Sequence, residues 1–243
     1  MIVIENQVLL LIYFALVMAP PAILATIFVR LDMFREPVRA VVLTLIISYA
    51  ATSIFGEIKY GVLDLPESWV SNNFINSLFL IALPEELTKF LVLYFYCVRI
   101  REFNEPMDGL VYGSLAGLGF GINEALGYAK YYQEEATSSI EVIDNILMRG
   151  LIAVPGHAFD GIIMGAFVGV ALFRKVNKSI FLILAIIVPT ILHFLWDFSI
   201  FSKQYANFMY LVYFVEFAVV VILFINFREK QNLKQSEEEK RVD

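Results

Sequence analysis

Long apolar runs separated by short polar segments dominate the chain, and they determine its predicted architecture. Seven runs have the length of roughly 20 residues that a helix needs to cross a bilayer. They cover residues 6–29, 40–60, 74–97, 107–132, 145–173, 180–201 and 207–226. The fifth run is the longest, which predicts a helix that is tilted or extends beyond the membrane. The pattern therefore predicts an all-α polytopic membrane protein with about seven transmembrane helices.

The polar segments divide the chain into one membrane domain and one tail. We predict a single helical membrane domain over residues 1–226, with its functional core over about 74–201. Residues 227–243 are rich in charge and predict a disordered cytoplasmic tail. Pro66 and Trp69 indicate that the segment between the second and third spans lies at the membrane interface. No Lys or Arg precedes the first apolar run, so a cleavable signal peptide is not expected.

The basic residues between the spans predict the orientation of the chain. From the N-terminus onward, the eight flanks with their adjoining span ends carry 0, 3, 1, 2, 1, 3, 1 and 5 Lys or Arg residues. Cytoplasmic flanks are enriched in these residues. The alternation predicts an N-terminus outside and a C-terminus in the cytoplasm, in a plasma membrane of prokaryotic type.

Composition supports a membrane protein and excludes several other classes. The chain is 59% hydrophobic and only 17% charged, whereas soluble domains carry about 25% charged residues. The net charge of −6 argues against binding of nucleic acid, which requires basic surfaces. Cys97 is the only cysteine, which excludes an intrachain disulfide and a multi-cysteine metal site. The oligomeric state is left open.

Ten Asp, Glu, Lys, Arg or His side chains lie in the interior of the predicted spans, away from the span ends, where such groups are costly and usually face the interior of the bundle. They are Glu85, Glu86, Lys89, Glu124, Arg149, His157, Asp160, His193, Asp197 and Glu216. At about 100° per residue, Glu85, Glu86 and Lys89 share one helical face, and Lys89 can pair with either carboxylate. His193 and Asp197 are one turn apart in the sixth span.

The fourth, fifth and seventh spans complete this set. Arg149, His157 and Asp160 share a face of the fifth span, whereas Glu216 has no partner on its face and is assigned a structural or snorkelling role. Two stripes of glycine at four-residue spacing indicate close helix packing rather than function. The stripes are Gly113, Gly117 and Gly121, on the same side as Glu124, and Gly161, Gly165 and Gly169.

Depth in the membrane distinguishes a site from isolated polar residues. Glu86, Glu124, His157 and His193 lie roughly 12–20 Å from the outer ends of their spans at about 1.5 Å per residue. A single buried Glu–Lys pair or a lone histidine is often only structural. Because four helices bring carboxylate and imidazole groups to one level, the set predicts a functional centre in the outer half of the membrane.

The charges at this centre suggest its chemistry. With neutral histidines, five carboxylates and two basic groups leave a net charge of −3, which burial disfavours unless protons, a cation or water compensate it. One solution is Zn²⁺, for which we predict the ligands Glu85, Glu124, His157 and His193. The other is a metal-free site in which a glutamate acts as general base on water. Both predict a nucleophilic water, and the choice between them stays open.

Three motifs give the chain a resemblance to a known family, the PrsW family of intramembrane proteases, which is related to the CAAX-processing and bacteriocin-immunity membrane proteases. The family motifs E-E-x-x-K, F-x-x-x-E and H-x-x-x-D match Glu85–Glu86–Lys89, Phe120–Glu124 and His193–Asp197, in that order. His157 resembles the family's additional histidine. Two residues differ from the expected pattern, since Ala125 follows Glu124 and Asp160 follows His157 at the third position.

The resemblance implies hydrolysis of a peptide bond in a membrane-anchored protein, such as site-1-type cleavage of an anti-sigma factor. Glu85 or Glu86 would activate water, and Lys89 would set their charge state. The remaining catalytic residues expected are Glu124, His157 and His193, which would hold water or metal, and Asp197, which would orient His193 or polarise the carbonyl. The alternative is a proton or divalent-cation transporter or channel using the same residues, although no inverted repeat is recognisable.

Overall fold

The architecture is that of a computed structural model, which describes residues 7–61, 65–135, 139–202, 205 and 207–242. Within these ranges the chain is helical and contains no strand. The predicted outside segment before residue 7 and the predicted outer loop around residue 137 lie outside the described residues.

Ten α-helices account for most of the described chain. They are α1 (Gln7–Leu31), α2 (Val38–Gly61), α3 (Glu67–Val70), α4 (Asn73–Ile75), α5 (Leu83–Phe95), α6 (Pro106–Glu135), α7 (Ser139–Met148), α8 (Val154–Phe173), α9 (Lys178–Phe201) and α10 (Phe208–Val242). Two π-helical segments join α4 to α5 and α7 to α8, at Asn76–Ala82 and Arg149–Ala153. Because its π segment leaves the helix unbroken, the fifth predicted span forms one long rod that extends N-terminally to Ser139.

Five of the seven predicted spans are confirmed as helices long and apolar enough to cross a membrane. They are Phe14–Leu31, Val38–Ile58, Ile140–Phe173, Lys178–Phe201 and Phe208–Glu237. The other two predicted runs form α6 and the segment that ends in α5. These two carry the E-E-x-x-K and F-x-x-x-E motifs and the stripe of Gly113, Gly117 and Gly121 instead of an uninterrupted apolar surface. The protein is a multi-pass membrane protein whose polar, small-residue helices lie among its apolar ones.

The centre of the bundle is the contact between α6 and α8. Leu115, Ile162 and Met164 are fully buried there. A methyl group added at Gly113 would overlap the carbonyl oxygen of Gly161, and one added at Gly161 would overlap that of Gly113. The two backbones therefore touch, as expected of small residues at helix contacts. The packing role predicted for the glycine stripes is confirmed.

Proline shapes the helices next to the predicted catalytic residues. Pro84 and Pro155 stand in the first turns of α5 and α8, directly after the two π-helical segments. A proline lacks an N–H group and its ring crowds the carbonyl of residue i−4, so a wider π turn accommodates it. Pro189 lies inside α9 one turn before His193. The helices that carry the functional side chains of α5 and α8 thus widen into a π turn just before these residues.

The expectation of a disordered tail is wrong. Helix α10 continues without a break from Phe208 to Val242. Two physical reasons account for this. The membrane span has already met the cost of helix nucleation, and the tail is rich in Glu, Gln and Lys, which favour helix. In addition, Phe227 and Gln231 are buried against the rest of the bundle.

Candidate active site

The centre of the polar cluster is a buried contact among Glu86, Lys89 and His193. The Nζ atom of Lys89 lies 2.6 Å from Oε1 of Glu86, and Nδ1 of His193 lies 2.7 Å from the same oxygen. Glu86 and Lys89 are both completely inaccessible to solvent. The helical spacing of α5 allowed Lys89 to pair with either carboxylate, and the structure selects Glu86.

A second contact group links α6 to the rod formed by α7 and α8. Oε2 of Glu124 lies 2.6 Å from Nε2 of His157 and 2.7 Å from Nη2 of Arg149. The guanidinium of Arg149 also stacks 3.5 Å from the ring centroid of Tyr128. The predicted proximity of the two imidazoles is confirmed, since the rings of His157 and His193 lie 5.4 Å apart.

Lys89 connects the two groups and fixes the hydrogen on one imidazole. Its Nζ atom lies 3.0 Å from Nδ1 of His157. Because an ammonium group only donates, Nδ1 must accept, and Nε2 then carries the hydrogen that Glu124 accepts. The Lys89 ammonium also lies 5.0 Å from the ring centroid of Phe120, which accounts for the aromatic position of the F-x-x-x-E motif.

Nε2 of His193 faces two carboxylates. It lies 3.4 Å from Oδ2 of Asp197 and 3.8 Å from Oε2 of Glu85. A neutral His193 that donates from Nδ1 to Glu86 leaves Nε2 as an acceptor at this position. Oε2 of Glu85 is buried and has no hydrogen-bond partner among the described residues. This group has unused capacity to bind a ligand.

A cavity of about 810 Å³ lies beside Glu85 and His193. Glu85, His157, His193 and Asp197 contribute to its wall, whereas Glu86 is sealed from solvent. Its volume falls in the range typical of ligand-binding pockets, about 300–1,000 Å³. The two adjacent glutamates of α5 therefore occupy different environments.

The side chains around His193 include two sets with the composition of a metal site. One ligand atom each from Glu85, His157 and His193 lies within 4.8 Å of the others, and the same holds for Glu86, Asp160 and His193. Oε2 of Glu85, Oε2 of Glu86 and Oδ1 of Asp160 are buried without a hydrogen-bond partner in the described chain. Imidazole nitrogens and unpaired carboxylate oxygens are the donors that Zn²⁺ takes. The residues present fit such an ion.

Glu124 was predicted as a zinc ligand, but its carboxylate does not converge with the ligand atoms of the other three predicted ligands. Its carboxylate lies against Arg149 and His157, and it belongs to neither of the two sets in which ligand atoms converge. Because Arg149 already neutralises it, Glu124 has less electrostatic need for a cation than Glu85 does.

Sequence reasoning left Asp160 without a role and placed Glu216 outside the polar centre. Asp160 lies 3.9 Å from Nδ1 of His193 and 4.0 Å from Nζ of Lys89, and its position on the His157 face of α8 was the available signal. Glu216 is only 3% exposed and forms part of the cavity wall. Of the two roles predicted for Glu216, snorkelling is wrong because the side chain is buried, and a structural role stays a prediction.

These features define a class: a multi-pass helical membrane protein with a buried Glu/His/Asp centre that opens into a cavity. Residues 33–224 match the family model described as PrsW family intramembrane metalloprotease. The chain belongs to that family, as its motifs indicated.

Curated relatives named Protease PrsW support the assignment. The protein of Oceanobacillus iheyensis is 30% identical over 187 residues, which are 77% of this chain and 80% of the relative. The proteins of Halalkalibacterium halodurans and Geobacillus kaustophilus are 30% and 31% identical. The matched regions span 58% and 51% of the lengths of these two relatives. No solved structure matches the chain.

Proposed function

We propose that this protein is an intramembrane protease that hydrolyses a peptide bond in a membrane-anchored protein substrate. The observation that carries the proposal is the position of Glu85. Its unpaired carboxylate oxygen lies at the cavity, 3.8 Å from Nε2 of His193. A carboxylate and an imidazole at this spacing can hold one water molecule between them.

In the metal-free form of this proposal Glu85 is the general base. It accepts a proton from the attacking water and later delivers it to the leaving amine. Glu86 is a positioning residue, because its oxygen holds both Lys89 and Nδ1 of His193. Glu86 thereby keeps His193 in the tautomer whose Nε2 faces the cavity.

The other motif residues orient this pair and the substrate. Asp197 places a second carboxylate oxygen 3.4 Å from Nε2 of His193, from the following turn of α9, where it can accept a hydrogen bond from the same water. Glu124, with Arg149, holds His157 at the cavity wall through its Nε2 hydrogen. Lys89 supplies a buried positive charge that stabilises negative charge developing nearby.

We propose that Glu85, His157 and His193 would be the ligands of a zinc ion and that Glu124 would not contact it. The ion would act as a Lewis acid on the water and on the scissile carbonyl. His157 would exchange one of its two present hydrogen bonds, to Lys89 or to Glu124, for this role. The metal-free mechanism requires the same Glu85 and His193 positions.

The topology proposed from the sequence completes the functional assignment. Seven spans with the N-terminus outside would place the centre in the outer half of the membrane. A substrate such as an anti-sigma factor would then be cut near its extracytoplasmic side. Cleavage requires an extended peptide segment in the cavity beside Glu85.

The test is reconstitution of the purified full chain into liposomes with fluorescent single-span reporter proteins as substrates. The proposal expects cleavage inside or beside the reporter span, mapped by mass spectrometry. The rival function, a proton or divalent-cation transporter, predicts ion flux across the same liposomes. Flux without cleavage of any reporter would refute the proposal.

A further inference from the structure

A second group of buried carboxylates lies away from the catalytic centre, between the α1–α2 connection and the start of α6. Asp32 and Glu36 come from the α1–α2 connection, Glu105 precedes α6, and Asp108 lies in its first turn. Their exposed fractions are 2%, 8%, 7% and 1%. We call these four residues the acidic cluster. It is separate from the catalytic centre, and neither the motifs nor the proposed reaction uses it.

The side chain of Gln231 in α10 joins two members of the acidic cluster. Its Nε2 group donates 2.7 Å to Oδ1 of Asp32 and donates also to Oε1 of Glu105. Its Oε1 atom accepts a hydrogen bond from the backbone N–H of Met33. Both amide hydrogens of Gln231 are used, and an amide carries no charge that could compensate the carboxylates.

The remaining hydrogen bonds to the acidic cluster also come from uncharged donors. Oδ2 of Asp108 accepts the backbone N–H groups of Asn104 and Glu105, at 2.5 and 2.7 Å. The hydroxyl of Tyr112 donates to Oε2 of Glu36. In the described chain, no Lys, Arg or His nitrogen pairs within 4.0 Å with any of the four carboxylates.

Nearby basic residues compensate the acidic cluster only from a distance. Nη1 of Arg228 donates 3.0 Å to the carbonyl of Leu31 rather than to a carboxylate. Lys234 acts on Glu105 through space. Neighbouring buried carboxylates repel one another when ionised, and burial of a charge is costly unless a counterion or hydrogen bonds satisfy it.

One oxygen in the acidic cluster is left unsatisfied, and this observation points to a ligand. Oδ2 of Asp32 is buried and has no hydrogen-bond partner in the described part of the chain, although Asp32 as a whole is only 2% exposed. One ligand oxygen each from Asp32, Glu105 and Asp108 lies within 4.8 Å of the others. Opposite ligands of a calcium ion stand at up to about twice its 2.3–2.6 Å bond length, so this spacing fits one ion.

We propose that Asp32, Glu105 and Asp108 bind a hard divalent cation, Mg²⁺ or Ca²⁺. The donors are all oxygens, which hard cations prefer, whereas the imidazoles of the catalytic centre suit zinc. The cation fastens the α1–α2 connection and the start of α6 to each other. Through Gln231 it also fixes the extension of α10, the helix that carries Glu216 into the cavity wall.

The test is thermal unfolding of the purified full chain in detergent, after treatment with EDTA and dialysis, with Mg²⁺ or Ca²⁺ added back separately. A ligand that binds only the folded protein raises the Tm, by about 5 °C when it exceeds its Kd roughly a hundredfold. Wild-type protein and Glu85→Gln should show the same rise, because the two sites are separate. Asp32→Asn and Glu105→Gln should lose it. Whichever of the two ions gives the larger rise at equal concentration is the preferred one.

Glu229→Gln is the matched control. Glu229 is exposed on α10, so the same chemical change there should leave the full rise in Tm. Equal rises in Asp32→Asn and wild type would overturn the proposal.

A second measurement does not depend on folding of the variants. Equilibrium dialysis of wild-type protein against Mn²⁺, followed by electron paramagnetic resonance, should find one bound ion that Mg²⁺ or Ca²⁺ displaces. The absence of any bound ion at millimolar Mn²⁺ would mean that protons alone neutralise the acidic cluster, and the proposal would be wrong.

Discussion

The Nζ atom of Lys89 lies 2.6 Å from Oε1 of Glu86, one turn earlier in α5, and neither side chain is accessible to solvent. Such a pair gives little net stability over an apolar pair of similar size. Loss of one partner alone, in contrast, leaves a buried charge uncompensated and costs about 3–5 kcal/mol. The Glu86–Lys89 pair is thus a structural requirement of the site as well as part of its electrostatics.

Lys89→Met should therefore lower the free energy of unfolding by about 3–5 kcal/mol, because Glu86 then keeps a buried charge without its cation. The double variant Glu86→Gln/Lys89→Met should recover much of this loss. Chemical unfolding in detergent, followed by tryptophan fluorescence, measures both. A single Lys89→Met variant as stable as wild type would show that the pair is compensated elsewhere.

Close packing of α6 on α8 gives a second prediction. Gly113→Ala should destabilise the protein strongly, because the added methyl group meets the carbonyl of Gly161 and the two backbones must separate. Gly127→Ala is the matched control, since no heavy atom lies within 4 Å of the methyl position. This control should be neutral or stabilising by up to about 1 kcal/mol, as alanine favours helix over glycine. Similar unfolding midpoints for the two variants would contradict the observed contact.

The sequence predicted the membrane architecture and the composition of the polar centre for identifiable reasons. Apolar runs reveal helices that face lipid, and charge inside a run reveals side chains that must face protein. The depth argument correctly brought His157 and His193 together on different helices. Pairing within one helix was also predictable, since His193 and Asp197 are one turn apart.

The sequence could not predict which individual side chains pair across helices. Helical angles left Lys89 equally close to Glu85 and Glu86, and only the position of His193 on α9 distinguishes them. Glu216 seemed isolated because its neighbours belong to other helices. The acidic cluster was missed because the loops were considered only for their Lys and Arg residues. Asp108, at the start of the fourth predicted span, was the signal that could have led to it.

The orientation of the chain is a prediction that fusions can test. A cytoplasmic reporter after Asp243 should be active, and an extracytoplasmic reporter at residue 137 should be active. The Lys and Arg residues of the flanks supply the physical reason. The opposite activities at both positions would reverse the orientation and place the site in the inner half of the membrane.

Zinc binding gives a prediction with a readout other than activity. With Mg²⁺ and Ca²⁺ kept in excess, a zinc-selective chelator should lower the Tm of the wild-type protein, and added Zn²⁺ should restore it, because a ligand stabilises the state that binds it. His193→Ala removes a ligand from both possible sets, so its Tm should not respond to zinc. Metal analysis by mass spectrometry should find about one zinc per chain. A zinc-free protein with an unchanged Tm in chelator would exclude the zinc mechanism and favour the metal-free glutamate mechanism.

The most direct test of the account compares Glu85→Gln with Glu216→Gln in the liposome cleavage assay. Both variants make the same change at a buried carboxylate of the cavity wall, but only Glu85 faces Nε2 of His193. The account predicts that Glu85→Gln lowers the cleavage rate by a factor of about 10²–10⁴, typical of a lost general base, with a Tm close to wild type. Glu216→Gln should keep most of its activity. A well-folded Glu85→Gln protein that cleaves at the wild-type rate would contradict the proposed mechanism.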